Sequence, residues 1–317
     1  MYLVTGGAGF IGSHIVQRIL AMGDNVRVFD NFSFGKHENL RGLEDNLDVI
    51  VGDLLDQGVV RKAMEGVDVV LHQAALRSVP FSVENPALVN RVNVEGTLNV
   101  LIAARDAGVK RVVYASSSSV YGNSMLLPKN EEQLPDPVSP YAVSKLTGEY
   151  YCRVFTELYG LETVSLRYFN VYGPRQDPSS HYATVIPRFI RWAMLEESLE
   201  VHGDGLQSRD FTYIDNVVSA NLLAVQCRDG VGEAFNVGQG SAHTLLELAN
   251  LLQEIHGTDV RLLQTRSWPG DVRHTLADIY KAERCLGYRP HVSFEEGIVR
   301  TVRHFTEERQ QIVECIA

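Results

Sequence analysis

Tyr2-Leu3-Val4-Thr5-Gly6-Gly7-Ala8-Gly9-Phe10-Ile11-Gly12 is a short apolar run that breaks into spaced glycines. The residues that follow, Ser13 to Met22, carry Ile15, Val16, Ile19 and Leu20 at helical spacing. Gly23-Asp24 closes that segment, and Val26-Arg27-Val28-Phe29 reads as a second strand ending at Asp30. The glycines therefore occupy the turn of a strand–helix–strand unit. Gly6 permits the tight turn, Gly9 lets backbone approach a pyrophosphate at the helix N-terminus, and Gly12 lets the helix pack closely on the strand. Asp30 follows Gly12 by 18 positions, near the spacing of about 20 at which an acid accepts the adenosine ribose hydroxyls. Those hydroxyl contacts favour NAD over its 2′-phosphorylated form.

The alternation continues outward from this unit. Asp48–Val51, Val67–Leu71, Arg111–Ala115 and Thr163–Arg167 read as strands, and Val92–Ala104 and Tyr141–Tyr159 as helices. Strands separated by helices predict an α/β fold with a doubly wound parallel sheet, in which ligands sit beyond the carboxyl ends of the strands. Gly6–Gly12, Asp30, Asp53, His72–Ala75, Ser116–Ser119 and Asn170 all fall at such ends. Six polar or small loops converging on one crevice is a stronger signal than any single motif. After Asn170 the pattern loosens. Ile186–Leu195, Asn216–Gln226, Thr244–Ile255, Asp278–Leu286 and Ser293–Gln311 read as helices, and Leu199–Gly203 and Phe235–Gly238 as strands. This predicts a dinucleotide-binding domain over 1–167, with 210–238 crossing back, and a smaller substrate-binding domain over 168–317.

Tyr141 and Lys145 lie four apart, one turn from each other on a helix face. A free tyrosine, with a pKa near 10, is too weak a base at neutral pH. A fixed ammonium and a cationic nicotinamide nearby would both favour its phenolate. A hydroxyl from Ser116-Ser117-Ser118-Ser119 would hold the reacting oxygen against the phenol, completing a proton relay for alcohol oxidation and ketone reduction.

Composition sets outer limits. A net charge of −10 with no Lys/Arg-rich block leaves no footprint for nucleic acid. An anionic substrate must then be captured by local arginines and helix N-termini against the global field. Cys152, Cys227, Cys285 and Cys315 follow no ligand spacing, and no histidine pair does either, so no metal site is expected and the thiols read as reduced, cytoplasmic ones. No leader is expected, because a strand starts at the second residue. No apolar run approaches the roughly 18 residues that span a bilayer, so no membrane association is expected.

With these motifs in place, the chain resembles the extended branch of the short-chain dehydrogenase/reductase superfamily, within the NAD-dependent nucleotide-sugar epimerase/dehydratase family. The resemblance rests on Thr5-Gly6-x-x-Gly9-x-x-Gly12, Gly52-Asp53-Leu54, His72-Gln73-Ala74-Ala75, Asn93-Val94-Glu95-Gly96-Thr97, Ser117 with Tyr141-x-x-x-Lys145, Arg167-Tyr168-Phe169-Asn170 and Arg209-Asp210-Phe211. It implies Ser117, Tyr141 and Lys145 as the catalytic group, Tyr141 being the base. It implies NAD contacts at Phe10, Ile11, Asp30, Asn31, Asp53, Leu54, Gln73, Ala74, Ala75, Arg77, Asn93 and Tyr168, with Tyr141 and Lys145 beside the nicotinamide end. For a UDP-sugar substrate it implies Arg77, Ser117, Ser118, Tyr141, Asn170, Val185, Val201, His202, Arg209, Arg266, Asp271 and Thr275. The helices over 91–107 and 141–159 resemble those that form a four-helix bundle in a homodimer.

The resemblance also narrows the reaction. Dehydratases of the family have Thr-Asp-Glu where this chain has Ser117-Ser118-Ser119, and nucleotide-sugar decarboxylases carry Glu at the position of Ser119. A serine hydroxyl is a poor proton donor, so elimination is disfavoured. That leaves 4-epimerisation through a transient 4-keto sugar. Epimerases restricted to glucose and galactose place a tyrosine where this chain has Thr275; the smaller residue implies room for an acetamido group. Trp268 replaces an arginine that contacts the diphosphate, and Arg266, Arg273 or Arg209 alone are the substitutes. UDP-glucuronate 4-epimerisation is the alternative substrate reading. A non-catalytic NAD-binding regulator is the alternative of another class, and the intact Ser117, Tyr141 and Lys145 argue against it.

Overall fold

The computed structural model describes residues 1–43, 47–178, 184–195, 197–257, 262–265 and 273–316, with the side chains of residues 202, 308, 309 and 311–316 outside that description. The first half forms β1 (Tyr2–Thr5), α1 (Phe10–Ala21), β2 (Val26–Asp30), β3 (Leu47–Val51), α2 (Gln57–Ala63), β4 (Val69–His72), α3 (Val79–Glu84), α4 (Pro86–Asn90), α5 (Gly96–Asp106), β5 (Arg111–Ser117), α6 (Pro140–Tyr159) and β6 (Glu162–Tyr168). It continues with β7 (Val171–Tyr172), α7 (Val185–Met194), β8 (Leu199–His202), β9 (Ser208–Arg209), β10 (Thr212–Tyr213), α8 (Ile214–Gln226) and β11 (Ala234–Val237). Last come β12 (His243–Thr244), α9 (Leu245–His256), β13 (Leu262–Thr265), α10 (Tyr280–Leu286) and α11 (Phe294–Ile316).

Seven strands form one parallel sheet in the order β11-β6-β5-β4-β1-β2-β3. The chain winds outward from β1 through β2 and β3, then returns to β4 on the other side of β1. This reversal opens a crevice above the carboxyl ends of β1 and β4, the place where doubly wound sheets bind ligands. Both faces of the sheet are covered, as parallel sheets require. Successive strand residues accordingly alternate between two apolar layers: Val4, Val113 and Ala115 enter one, Leu3, Val112 and Tyr114 the other. Ile15, Val16 and Ile19 of α1 are fully buried against the first layer, each contributing about 1.5–3 kcal/mol.

Local chemistry sets the boundaries. Ser139 caps α6 by accepting the Ala142 N–H, and Gly160, left-handed at φ +71°, ends it. Thr244 and Glu247 form a reciprocal capping box at the start of α9, and Gly257 closes it at φ +67°. The helix read over 92–104 is longer and less regular: a π turn over Arg91–Glu95 joins α4 to α5. Inside that turn Asn93 bonds both backbone groups of Leu76, at 2.8 and 3.0 Å. Strand Ala234–Val237 completes the large sheet beside β6, although β7 to β10, α7 and α8 lie between the two in the chain. Among the described residues no helix is long and apolar enough to cross a membrane, and no His/Cys/Asp/Glu group could hold a metal.

Candidate active site

The carboxyl ends of β1, β2, β4, β5 and β6 open into one cavity of about 1270 Å³. The glycine loop forms its floor. A Cβ on Gly12 would lie 2.1 Å from the Gly6 carbonyl oxygen, and one on Gly6, at φ +67°, would lie 2.8 Å from Ala74 backbone. Neither position tolerates a side chain, so the loop stays bare toward the cavity. At the end of β2, Asp30 accepts N–H groups from Ala8 (3.0 Å) and Phe32 (2.9 Å). Burial raises its carboxyl above the usual range, while those backbone bonds oppose the shift. One lone pair on each oxygen remains for ribose hydroxyls. Asn31 donates to Asp53 at 3.0 Å, tying the ends of β2 and β3 together. These features fit the adenosine and pyrophosphate of NAD.

The side chains expected to react also line the cavity. β5 stops at Ser117, and a 3₁₀ turn over Ser118–Tyr121 follows. Ser117 Oγ accepts the Ser119 N–H at 3.2 Å and the Ser119 hydroxyl at 2.8 Å. With its acceptor sites so used, its own proton points elsewhere. Tyr141 is the second residue of α6, and Lys145 follows one turn later. Lys145 Nζ donates to the Ala115 carbonyl at 2.7 Å and lies 5.9 Å from the Tyr141 ring centroid. Burial pushes this ammonium down to about 8. Burial raises the Tyr141 phenol, against a hydrogen bond with Ser117 and the charge of Arg77. Arg77 thus adds a second cation beside Tyr141 to the Lys145 that sequence reasoning names. His72 is not on the cavity wall. It is locked between Thr5 (2.6 Å) and Thr97 (3.0 Å), and burial holds it down to about 3.

The sequence-predicted residues assemble closely. Gly6, Gly9, Phe10, Ile11, Gly12, Asp30, Asn31, Asp53, Leu54, Gln73, Ala74, Ala75, Arg77 and Tyr168 line the cavity, as do Ser117, Ser118, Tyr141, Lys145, Asn170, Arg209 and Thr275. Three stand elsewhere. Asn93 is turned inward to Leu76 and to Ser144 Oγ, 3.0 Å away. Val201 is fully buried in the main core, and Val185, half-buried, packs against it; neither lines the cavity. His202 ends β8, and its side chain lies outside the described residues. Arg266 and Asp271, with Trp268, lie outside the described residues. Arg273 pairs with Asp204 at 2.7 Å near the surface and does not reach the cavity.

Several lining residues escaped sequence reasoning. Arg188 and Arg191 reach the wall from α7, with Trp192 and with Glu200 of β8. Arg188 lies 4.6 Å over the Trp192 ring and 3.8 Å from Glu200. On an amphipathic helix, such arginines read as a solvated face. Lys129 also lines the cavity, from a loop without a recognisable pattern. Asn170 adopts φ +29°, which asparagine tolerates, and donates to Thr275 Oγ1 at 3.2 Å. This contact joins the end of β6 to the 273–277 segment.

A family model described as the NAD dependent epimerase/dehydratase family matches residues 2–238. The chain is 39% identical, over 95% of its length and 97% of the relative's, to a putative UDP-glucose 4-epimerase of Methanocaldococcus jannaschii. Its fold matches a UDP-N-acetylglucosamine 4-epimerase from Methanobrevibacter ruminantium, solved with UDP-N-acetylmuramic acid, at a TM-score of 0.93 and 40% identity, covering 97% of this chain and 98% of that one. It also matches a UDP-glucuronic acid 4-epimerase from Bacillus cereus, solved with UDP-glucuronic acid and NAD, at 0.90 and 34%, covering 97% and 99%.

Proposed function

This chain belongs to the NAD-dependent epimerase/dehydratase family and takes NAD as its cofactor, and from that premise we propose that it interconverts the C4 epimers of UDP-hexoses. The substrates are UDP-glucose and UDP-galactose, together with UDP-N-acetylglucosamine and UDP-N-acetylgalactosamine. One observation carries the reading: Ser117, Tyr141 and Lys145 share a cavity with the glycine loop and Asp30, and Ser119 stands where an elimination would need an acid.

When bound, NAD supplies reversible two-electron oxidation at the sugar C4. Tyr141 takes the C4 hydroxyl proton as the 4-keto sugar forms and returns it after the ring turns over. Ser117, its acceptor sites satisfied by Ser119, donates to the C4 oxygen and holds it against the phenol. Lys145, pinned on the Ala115 carbonyl, keeps a positive charge near the developing phenolate. Arg209 and Asn170 hold the diphosphate about which the sugar rotates, aided by Arg188 and Arg191 in place of the arginine that Trp268 replaces. Thr275 leaves space for an acetamido group. We assign 1–167, with 210–238 crossing back, to NAD binding and 168–317 to the substrate side. Exposed Val143, Tyr150, Val154 and Leu158 on α6 support a homodimer built on α5 and α6.

The test incubates the purified protein and NAD with UDP-galactose or UDP-N-acetylgalactosamine and separates the products. Interconversion of at least one pair is expected. If neither pair interconverts, the proposed substrates are wrong.

A further inference from the structure

Lys129 is a lysine with only 2% of its surface exposed, yet it forms part of the cavity wall. Its Nζ donates to the Ser124 carbonyl. Among the described residues no carboxylate pairs with it: burial lowers its pKa and no acidic neighbour raises it back. The nearest acid in sequence, Glu131, is committed elsewhere, accepting the Asn236 N–H at 2.7 Å and sharing the field of Lys281 and Arg167. A buried cation without a counter-charge is costly, and proteins keep one where a ligand supplies the missing anion.

The backbone fixes where this cation stands. The Lys129 N–H donates to the Leu276 carbonyl at 2.7 Å, and its carbonyl accepts from Asp278 N (2.7 Å) and Asn236 Nδ2 (2.8 Å). Residue 129 is thus clamped beside the segment bearing Thr275, while its Nζ is tied to the loop just past Gly122. Ser118, Gly122 and Val138 line the same cavity, as do Ser117 and Tyr141. Arg188, Arg191 and Arg209 also line the cavity. On the epimerase reading those arginines take the diphosphate, which leaves the charge of Lys129 for the sugar.

Presupposing the UDP-sugar epimerase reading, we propose that Lys129 is a specificity-determining residue that pairs with a carboxylate on the sugar, extending the substrates to UDP-hexuronates. A neutral hexose leaves the ammonium unpaired, whereas a hexuronate completes a charge-assisted bond in a site shielded from water.

Binding is measured by calorimetry on the NAD-bound protein carrying Tyr141→Phe, so that turnover does not enter. The probes are UDP-glucuronate, UDP-glucose and UDP. With Lys129 intact, UDP-glucuronate binds more tightly than UDP-glucose. Lys129→Met raises the ratio of the UDP-glucuronate Kd to the UDP-glucose Kd at least about tenfold, the scale of losing one partner of a buried charge pair. Lys129→Arg restores most of the ratio. An unchanged ratio overturns the proposal, and so does an equal loss for UDP, which would place the cation at the diphosphate. Methionine matches the lysine stem and removes a buried charge, so the variant is expected to fold; if it does not, Lys129→Arg against Lys129→Gln decides by the same ratio. Failure of the wild-type protein to turn over any UDP-sugar ends the epimerase reading separately, because these Kd values do not depend on turnover.

Discussion

Replacing Glu149 by alanine strikes the polar network beneath the reacting groups. Glu149 lies on α6, one turn past Lys145, and its side chain and that of Arg167 are each 6% exposed. Its carboxylate accepts from Arg167 Nε at 2.9 Å, from Arg167 Nη2 at 2.8 Å and from the Ser116 hydroxyl. Without it the guanidinium is left buried with no counter-charge, at a cost of about 3–5 kcal/mol. Arg167 keeps a bond to the Tyr121 hydroxyl at 2.9 Å and a position 4.9 Å over that ring, which offsets on the order of 1 kcal/mol. The orphaned Ser116 hydroxyl adds about 1 kcal/mol back. The expected loss is therefore about 4 kcal/mol, a large share of the roughly 5–15 kcal/mol that holds a protein folded. Equilibrium denaturation at fixed NAD concentration measures it. The double replacement Glu149→Leu with Arg167→Met should cost at least about 2 kcal/mol less than the sum of its single changes, since it buries no lone charge. A loss below about 1 kcal/mol for Glu149→Ala, or additive single changes, would refute the assignment of this pair as a coupled buried unit.

Three further outcomes are expected. Tyr141→Phe lowers turnover at least about a hundredfold, the scale of general acid–base loss, while NAD remains bound; retained activity in a product assay would show that another group is the base. Arg77→Gln removes a charge that lowers the Tyr141 phenol, so the acidic limb of the kcat/KM profile moves to higher pH, and a move to lower pH contradicts the field argument. His72, ordinarily near 6.5, is held down to about 3 by burial. Its contribution to stability is complete above about pH 6.5 and declines as the unfolded chain takes up a proton that the folded one refuses, by up to about 1.4 kcal/mol per pH unit. His72→Gln should flatten that decline between pH 6.5 and 4, and denaturation midpoints at pH 7 and 5 that fall equally in both proteins would disprove it.

The first half of the fold was legible because its strands, the edge strand β3 apart, are largely buried and its turns carry glycines or acids. The glycine loop was legible for the same reason: Gly6 and Gly12 are set by backbone shape and Asp30 is a carboxylate at a strand end, which spacing reveals. The far wall was not. Arg188 and Arg191 belong to a helix whose polar stripe looks like any solvated face until α7 is placed against the cavity. Lys129 gives no periodic signal, because a pairing with residues 276 and 278 sets its position. The π turn at Arg91–Glu95 was also hidden, since it arises from the demand of Asn93 on Leu76 rather than from helix propensity. Val201 illustrates the reverse: an apolar residue expected beside the ligand lies fully buried in the core instead.

The late return of Ala234–Val237 to the edge of the large sheet makes the two halves of this protein inseparable by simple truncation. A fragment ending near Arg167 would bare the long flank of β6, whose backbone groups β11 now satisfies, and an unprotected flank of that kind recruits other chains into aggregates. Swapping the chain after β6 between relatives therefore requires grafting two separated stretches around a retained β11, and a single crossover anywhere between β6 and β11 would exchange a strand of the large sheet as well.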